Sequence, residues 1–294
     1  MTLDRPSSPA FETRLPGLNE RLRERLYAGQ LFKFGATKAS LGLSEEVLGL
    51  LSEHLGRGLA PGMDPRDMHP QLSELAFFEG VGRVRKILYM DDHFHRRLLD
   101  VVAAAGFDPE RTVFDPLRLR TVCHDGHHNP RAAALYVPHR DTWYGHPDAL
   151  IGWWIPLDDL GEEETFEFYP SQLTREVPND SERFVYDEWV ARGWSLKIGW
   201  QDIDAGLRTT YPGAQLERPE DAGAPLRFSA RKGENLLFAG AHLHKTRPQS
   251  TGRTRFSLDF RVLDLPDFHA GKGAPNVDNR SVGAGLKDYV ACHS

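Results

Sequence analysis

The chain has 294 residues with a formal net charge of −6, and 40% of its residues are hydrophobic and 27% charged. This composition is ordinary for a soluble globular protein, and the acidic balance argues against a nucleic-acid partner, which normally requires a basic surplus. Cys123 and Cys292 are too few for a disulfide framework or a cysteine-rich zinc site, and they favour a reducing cytoplasm. We expect no signal peptide, because residues 1–11 contain no apolar h-region, and no membrane span, because no apolar run approaches about 20 residues.

The first 111 residues are expected to be mostly helical. Leucines near helical spacing predict a helix over 12–27. Ser44 has the features of an N-cap for an amphipathic helix that ends at Gly56. A further helix is predicted over 92–105.

From about residue 112 the pattern changes to short apolar–polar alternations separated by Gly, Pro and Asp, which is typical of an antiparallel sandwich or barrel. The expected strands are 117–123, 132–137, 150–156, 165–169, 235–242 and 254–262. Residues 173–225 are charged and poor in strand signals, so we interpret them as an insertion with some helix near 181–192. Residues 263–294 are expected to be an irregular tail. We treat residues 1–294 as a single domain with its core over 112–262.

A His-x-Asp pair occurs at the end of one extended run, at His139 and Asp141. Side chains at i and i+2 of a strand share a face, so the imidazole and the carboxylate are expected to converge. The pair alone is a weak signal, because such pairs also occur in surface turns.

A second segment, 233–245, is predicted to be a strand that ends on His242 and His244. One imidazole from this segment would complete a set of two histidines and one carboxylate, the ligand set of non-heme Fe(II) oxygenases. His242 and His244 have the same strand parity, so parity alone does not decide between them.

A third segment, 253–261, alternates strictly between polar and apolar residues. Arg255 and Ser257 fall on its polar face. That face is either an exposed strand edge or a pocket wall for a carboxylate, which the planar fork of arginine binds in bidentate fashion.

Four motifs in this order resemble the phytanoyl-CoA dioxygenase family of Fe(II)/2-oxoglutarate-dependent oxygenases. They are His-Arg-Asp-Thr-Trp at 139–143, Trp-Ile-Pro-Leu-Asp-Asp at 154–159, Gly-Glu-Asn-Leu-Leu-Phe at 233–238, and His-Lys-Thr-Arg-Pro-Gln at 244–249 followed by Thr-Arg-Phe-Ser at 254–257. The resemblance covers about half of the chain. It implies a mainly β fold with helical additions, a double-stranded β-helix (jelly-roll, cupin-like) barrel preceded by N-terminal helices.

The resemblance also implies roles for individual residues. His139, Asp141 and His244 would hold the iron, with His244 preferred over His242 because the interval to Arg-x-Ser fits it. Arg255, assisted by Ser257, would grip the distal carboxylate of 2-oxoglutarate, and Trp154 matches a family tryptophan near this co-substrate. The implied reaction couples decarboxylation of 2-oxoglutarate to succinate with oxidation of an unactivated C–H bond by dioxygen. Asp141 argues against halogenation, because halogenating relatives carry a small residue there.

The substrate is less well specified. Thr142, Trp143 and Tyr144 follow the carboxylate directly, and their side chains are expected either to wall a substrate pocket or to belong to the barrel core. A CoA thioester would require a basic patch, for which only 83–86 and 96–97 are candidates. We therefore favour a small metabolite or natural-product intermediate.

Two other functions are compatible with the sequence. One is a cupin-type metalloenzyme that does not use 2-oxoglutarate, and the other is a non-catalytic metabolite-binding barrel. Nothing in the sequence indicates an oligomeric state.

Overall fold

The structure is a computed structural model, and residues 11–14, 20–129, 135–191 and 211–291 are described. In this part of the chain, strands form two antiparallel sheets. The six-stranded sheet has the order β1-β5-β3-β7-β2-β8, and the two-stranded sheet pairs β4 with β6. The strands are β1 (Phe32–Phe34), β2 (Thr112–Val122), β3 (Ile151–Pro156), β4 (Phe166–Phe168), β5 (Asn235–Ala239), β6 (His244–Thr246), β7 (Arg255–Asp264) and β8 (Val290–Ala291).

Helices precede most of the sheet, as expected from the sequence. These are α1 (Glu20–Tyr27), α2 (Lys38–Leu55), α3 (Glu74–Met90) and α4 (Asp92–Ala104), whereas α5 (Tyr186–Ala191) and α6 (Leu265–His269) come later in the chain. Val47 of α2 and Val81 of α3 are fully buried in the same apolar cluster as Phe256 and Leu258 of β7. The N-terminal helices and the large sheet therefore share one core. No helix among the described residues has the length and apolar character needed to cross a membrane.

The second helix begins earlier than the sequence predicted. Its N-cap is Thr37, whose side chain accepts from the backbone N–H of Ser40, while the Ser40 hydroxyl accepts from the N–H of Thr37. Ser44, the predicted cap, lies inside the helix and donates to the Ser40 carbonyl. The prediction was wrong because this reciprocal capping box satisfies two orphan N–H groups about two turns upstream of Ser44. The predicted end at Gly56 is confirmed.

Helix α3 was not predicted, because Gly80 and Gly82 interrupt its helical pattern. A Cβ at Gly80 would lie 2.5 Å from Leu55 Cδ2 and 3.0 Å from the His54 carbonyl oxygen of α2. Glycine is therefore present because α2 and α3 pack closely at this point.

One expected strand is shorter than predicted. Residues 235–242 were predicted as a single strand, but β5 ends at Ala239 and the His242 N–H donates to the Ala239 carbonyl in a turn. The chain then enters β6 at His244. The prediction over 132–137 was also wrong for residues 135–137, which are not strand, while 130–134 lie outside the described residues.

Strand β7 confirms the strict alternation read from the sequence. Phe256 and Leu258 pack in the apolar core, and Arg255 and Asp259 line a cavity on the opposite face. The alternative of an exposed edge is wrong, since β7 is central and pairs with β3 on one side and β2 on the other.

The insertion contains the helix expected near 181–192, as far as residue 191, and the tail contains more regular structure than expected. Residues 181–183 form a short 3-10 helix ahead of α5, and 192–210 lie outside the described residues. The tail, expected to be irregular, contributes α6 and also β8, which pairs with β2.

Candidate active site

The three predicted metal ligands come together in the cavity between the sheets. His139, Asp141 and His244 each offer a ligand atom, and these atoms lie within 4.8 Å of one another. The backbones of His139 and His244 are paired, because each N–H donates to the other's carbonyl oxygen, at 2.9 and 3.0 Å. Their ring centroids are 4.4 Å apart. The chain then enters a short 3-10 helix at Asp141, whose carboxylate completes the group.

Both imidazoles are held in a form suited to metal binding. Nδ1 of His139 lies 2.9 Å from the Val137 carbonyl, and Nδ1 of His244 lies 2.9 Å from the His242 carbonyl. A proton on Nδ1 satisfies each carbonyl and leaves the Nε2 lone pair for a metal. Burial, with a contribution from His244, lowers the pKa of His139 to about 3, and burial also lowers the pKa of His244. Both rings are therefore neutral at pH 7.

The carboxylate of Asp141 is fixed by an arginine to which the sequence analysis gave no role. Nη2 of Arg261 donates to Oδ1 of Asp141 at 3.0 Å, and Nη1 donates to Oδ2 of Asp115 at 2.9 Å. Burial opposes ionisation of Asp141, but Arg261 and the two histidines outweigh it and hold the pKa of the carboxyl well below its usual range. The alternation of β7 placed Arg261 on the polar face, but its partners lie more than 100 residues away in sequence.

The structure also separates the two candidate distal histidines. His244 belongs to the group of converging ligand atoms, whereas His242 does not. The His242 side chain is fully buried and packs against Phe168, with ring centroids 5.7 Å apart. His242 and His244 have the same parity only if both belong to one continuous strand, and the turn after β5 interrupts that strand.

A second polar region of the cavity consists of donors without partners. Arg255 is 2% exposed, and its Nη1 donates to the Glu164 carbonyl at 3.2 Å. The Arg255 Nε, the Ser257 hydroxyl and the Trp154 indole N–H are buried and have no hydrogen-bond partner. Buried polar groups are normally satisfied, so these three donors suit a bound hydrogen-bond acceptor. Arg255 and Trp154 line the cavity itself, and Ser257 lies between the register positions of Arg255 and Asp259 on the same strand face.

The rest of the cavity is mainly aromatic, with one ion pair. Arg120 of β2 donates to Asp259 of β7 at 2.8 Å. Other lining residues that the sequence analysis did not assign are Leu135, Gly152, Trp153, Phe166, Phe238, Thr246 and Phe260.

The three residues predicted to contact substrate have different surroundings. Thr142 is fully buried, and Trp143 is fully buried in a separate apolar cluster with Tyr169 and Leu243. Tyr144 is partly exposed, and its ring centroid lies 5.4 Å from that of His139. The structure thus brings Tyr144 beside a ligand histidine and does not bring Trp143 to the cavity.

A second His/Asp group is found in the loop after β2. Ligand atoms of Asp125, His127 and His128 also lie within 4.8 Å of one another. The Asp125 carboxylate already accepts from Ser250 and contacts His124. The three residues are partly or fully exposed, whereas Asp141 and His244 are buried, so the cavity group is the stronger candidate.

The fold is similar to several solved structures of low sequence identity. ThoJ, described as a non-heme monooxygenase, is 15% identical with a TM-score of 0.43, covering 83% of this chain and 76% of ThoJ. SnoN, a non-heme α-ketoglutarate-dependent epimerase from nogalamycin biosynthesis, is 14% identical with a TM-score of 0.42, covering 94% and 98%. EvdO2 from Micromonospora carbonacea var. aurantiaca, complexed with 2-oxoglutarate, is 13% identical with a TM-score of 0.43, covering 86% and 94%. No curated protein matches the sequence.

The family assignment rests on the sequence itself. The family model described as Phytanoyl-CoA dioxygenase (PhyH) matches residues 66–257, which is more than half of the chain. The match spans the His139–Asp141–His244 group as well as Arg255 and Ser257, and it confirms the resemblance seen in the motifs. The chain belongs to the phytanoyl-CoA dioxygenase family.

Proposed function

We propose that the protein is a non-heme oxygenase that uses Fe(II), 2-oxoglutarate and dioxygen to oxidise an unactivated C–H bond of a small metabolite. One observation carries this proposal. A group of two histidines and one carboxylate shares a single cavity with a buried arginine whose neighbouring donors are unpaired. The first feature suits Fe(II) with open coordination positions, and the second suits a dicarboxylate bound beside it.

The residues present fit the metal and its co-substrate. His139, Asp141 and His244 would hold Fe(II) through two neutral imidazoles and one ionised carboxylate. Arg255 would bind the distal carboxylate of 2-oxoglutarate, with Ser257 and Trp154 supplying the further donors that now lack partners. When bound, the iron supplies the activation of dioxygen that drives decarboxylation of 2-oxoglutarate to succinate. The protein supplies orientation and a cavity that excludes water.

We further propose that the two sheets are the walls of a jelly-roll barrel. Isolated antiparallel bridges extend the small sheet on both sides, since His139 pairs with His244 and Leu226 pairs with Phe168. The cavity takes its lining from both sheets. This arrangement supports the proposed single oxygenase domain, with a core over 112–262.

The proposed substrate is a small molecule rather than a CoA thioester. Each of the two segments considered for phosphate binding, 83–86 and 96–97, has an arginine paired with an acid, since Arg83 contacts Glu79 and Arg97 contacts Glu46. The cavity instead has aromatic side chains in its walls and the Arg120–Asp259 ion pair, which has no net charge. Hydroxylation, desaturation and ring closure are all compatible with this cavity. The cysteine usage still favours a reducing cytoplasm.

Succinate formation tests this proposal. Full-length protein supplied with Fe(II), ascorbate and 2-oxoglutarate in air is expected to form succinate slowly even without its own substrate. Asp141→Ala and Arg255→Met should abolish this activity, while Arg253→Met, an exposed arginine two residues from Arg255, should retain it. Equal succinate formation by Asp141→Ala would contradict the proposal. Iron-loaded wild type that forms no succinate with any substrate offered would favour a cupin-type reaction without 2-oxoglutarate.

A further inference from the structure

A carboxylate in the C-terminal tail reaches the segment that carries two of the proposed metal ligands. The side chain of Asp278 is only 5% exposed. It accepts hydrogen bonds from Arg140 Nε at 3.1 Å, from the Trp143 indole N–H at 2.8 Å and from the Val177 backbone N–H at 3.0 Å. Asp278 therefore joins the tail, the ligand segment and the insertion at one point.

Arg140 lies between His139 and Asp141 in sequence, and its side chain is 1% exposed. Its other guanidinium N–H groups donate to backbone carbonyls, to Gln172 at 2.7 Å, to Arg175 at 2.8 Å and also to Ala241. Asp278 is the acidic partner found for Arg140 in the described part of the chain. A buried guanidinium needs such a counter-charge, because removing one partner of a buried pair leaves an uncompensated charge.

The hydrogen bond from Trp143 to Asp278 is made on the C-terminal side of Asp141. Trp143 is two residues further along the same 3-10 helix and is fully buried. One carboxylate thus fixes the residue before the ligand and a residue after it. Arg140 also contacts Ala241 in the turn that leads to His244, so the same network reaches all three ligand positions.

We propose that Asp278 is a positioning residue of the metal centre and holds the ligand segment 139–144 in its binding geometry through Arg140 and Trp143. This inference rests on the proposed function, because it assumes that a metal binds at this group. Removing a partner that is hydrogen-bonded to a metal ligand typically changes metal affinity by about 10- to 100-fold, and Asp278, which acts through the neighbours of the ligands, is expected at the lower end of this range.

Binding of Co(II), a visible-absorbing substitute for Fe(II), tests the inference in the full-length protein. Asp278→Asn should weaken Co(II) binding by at least about 10-fold and change the ligand-field absorption bands. The matched control is Asp267→Asn. Asp267 is also a buried tail carboxylate, 4% exposed, paired with the buried Arg23, and it makes no contact with segment 139–144. The Asp267→Asn variant should have a lower melting temperature, but its Co(II) affinity and ligand-field absorption bands should be unchanged.

Each outcome decides the inference. If Asp278→Asn binds Co(II) as tightly as the wild type, the inference is overturned. It is also overturned if Asp267→Asn loses as much Co(II) affinity as Asp278→Asn does. If Asp278→Asn does not fold, Trp143→Phe removes only one of the three hydrogen bonds and should still weaken Co(II) binding by about threefold; unchanged affinity would then overturn the inference.

His244→Ala separates the two proposals. If this variant binds Co(II) as wild type does, the proposed metal site fails along with the inference. If it has lost Co(II) while Asp278→Asn has not, only the inference fails.

Discussion

The ion-pair network behind Asp141 yields a quantitative prediction for Arg261→Met in metal-free protein. Arg261 is 13% exposed and bridges Asp115 and Asp141, whose side chains are 3% and 7% exposed. Methionine keeps most of the volume and removes the charge. Breaking a buried pair from one side typically costs about 3–5 kcal/mol. Asp115 keeps Arg118, at 3.0 Å, so only Asp141 loses its cationic partner. We therefore expect a loss at the lower end, about 3 kcal/mol of unfolding free energy at pH 7.

The pH dependence of this loss follows from the same contacts. In the wild type, Arg118 and Arg261 outweigh burial and lower the pKa of Asp115 to about 2, and Arg261 also keeps the pKa of Asp141 low. Carboxyls with lowered pKa stabilise the fold above the unfolded-state pKa, and this contribution disappears as the pH falls through the folded-state pKa. Without Arg261, burial dominates and raises the pKa of Asp141, so acid protonates it and removes the penalty. The difference between wild type and Arg261→Met should shrink from pH 7 to pH 5.

Urea unfolding of both proteins at the two pH values measures these quantities. Arg253→Met is the matched control, because Arg253 also bridges two aspartates, Asp64 and Asp67, but is 36% exposed. Exposed pairs contribute about 0–1 kcal/mol. The assigned role of Arg261 is wrong if Arg261→Met lowers the free energy of unfolding no more than Arg253→Met does. It is also wrong if the destabilisation by Arg261→Met does not change with pH.

Three further predictions follow from individual contacts. Arg255→Lys should weaken 2-oxoglutarate binding by about 10- to 100-fold in fluorescence titrations, because lysine keeps the charge but loses the bidentate fork; unchanged affinity would argue against the arginine as the carboxylate partner. His242→Phe should retain Co(II) binding, since the His242 ring lies outside the ligand group, and loss of the metal from a folded variant would reverse the choice of distal ligand. Gly80→Ala should destabilise the protein by about 1–3 kcal/mol through overpacking against α2, whereas Gly49→Ala on α2, where nothing lies within 4 Å, should stabilise it by about 0.5–1 kcal/mol; the same sign for both in thermal unfolding would contradict the packing argument.

Features with a local cause were predictable from the sequence. The alternation of 253–261 depends only on the two-residue period of a strand, and it separated the core side of β7 from the cavity side. His139 and Asp141, two residues apart, also come together with His244 as predicted, although Asp141 begins a 3-10 helix and does not continue the strand on which that prediction relied.

Features that depend on distant partners were not predictable in this way. Nothing near Arg261 indicates that it binds Asp115 and Asp141, and nothing near Asp278 indicates that it accepts from Arg140. Glu164 belongs to an acidic run that is typical of an exposed loop, yet it is 7% exposed and paired with Arg66. In each case a residue distant in sequence supplies the opposite charge that stabilises the buried charged group.

The central claim is that iron and 2-oxoglutarate bind together at the His139–Asp141–His244 group. The most direct measurement is an anaerobic titration of metal-free protein with Fe(II) and 2-oxoglutarate, recording the visible metal-to-ligand charge-transfer band. We predict a band in wild type that is absent in His244→Ala, weakened in Arg255→Ala and retained in Arg253→Met. A wild-type protein that binds Fe(II) but shows no band with 2-oxoglutarate, or a band that persists in His244→Ala, would contradict the account.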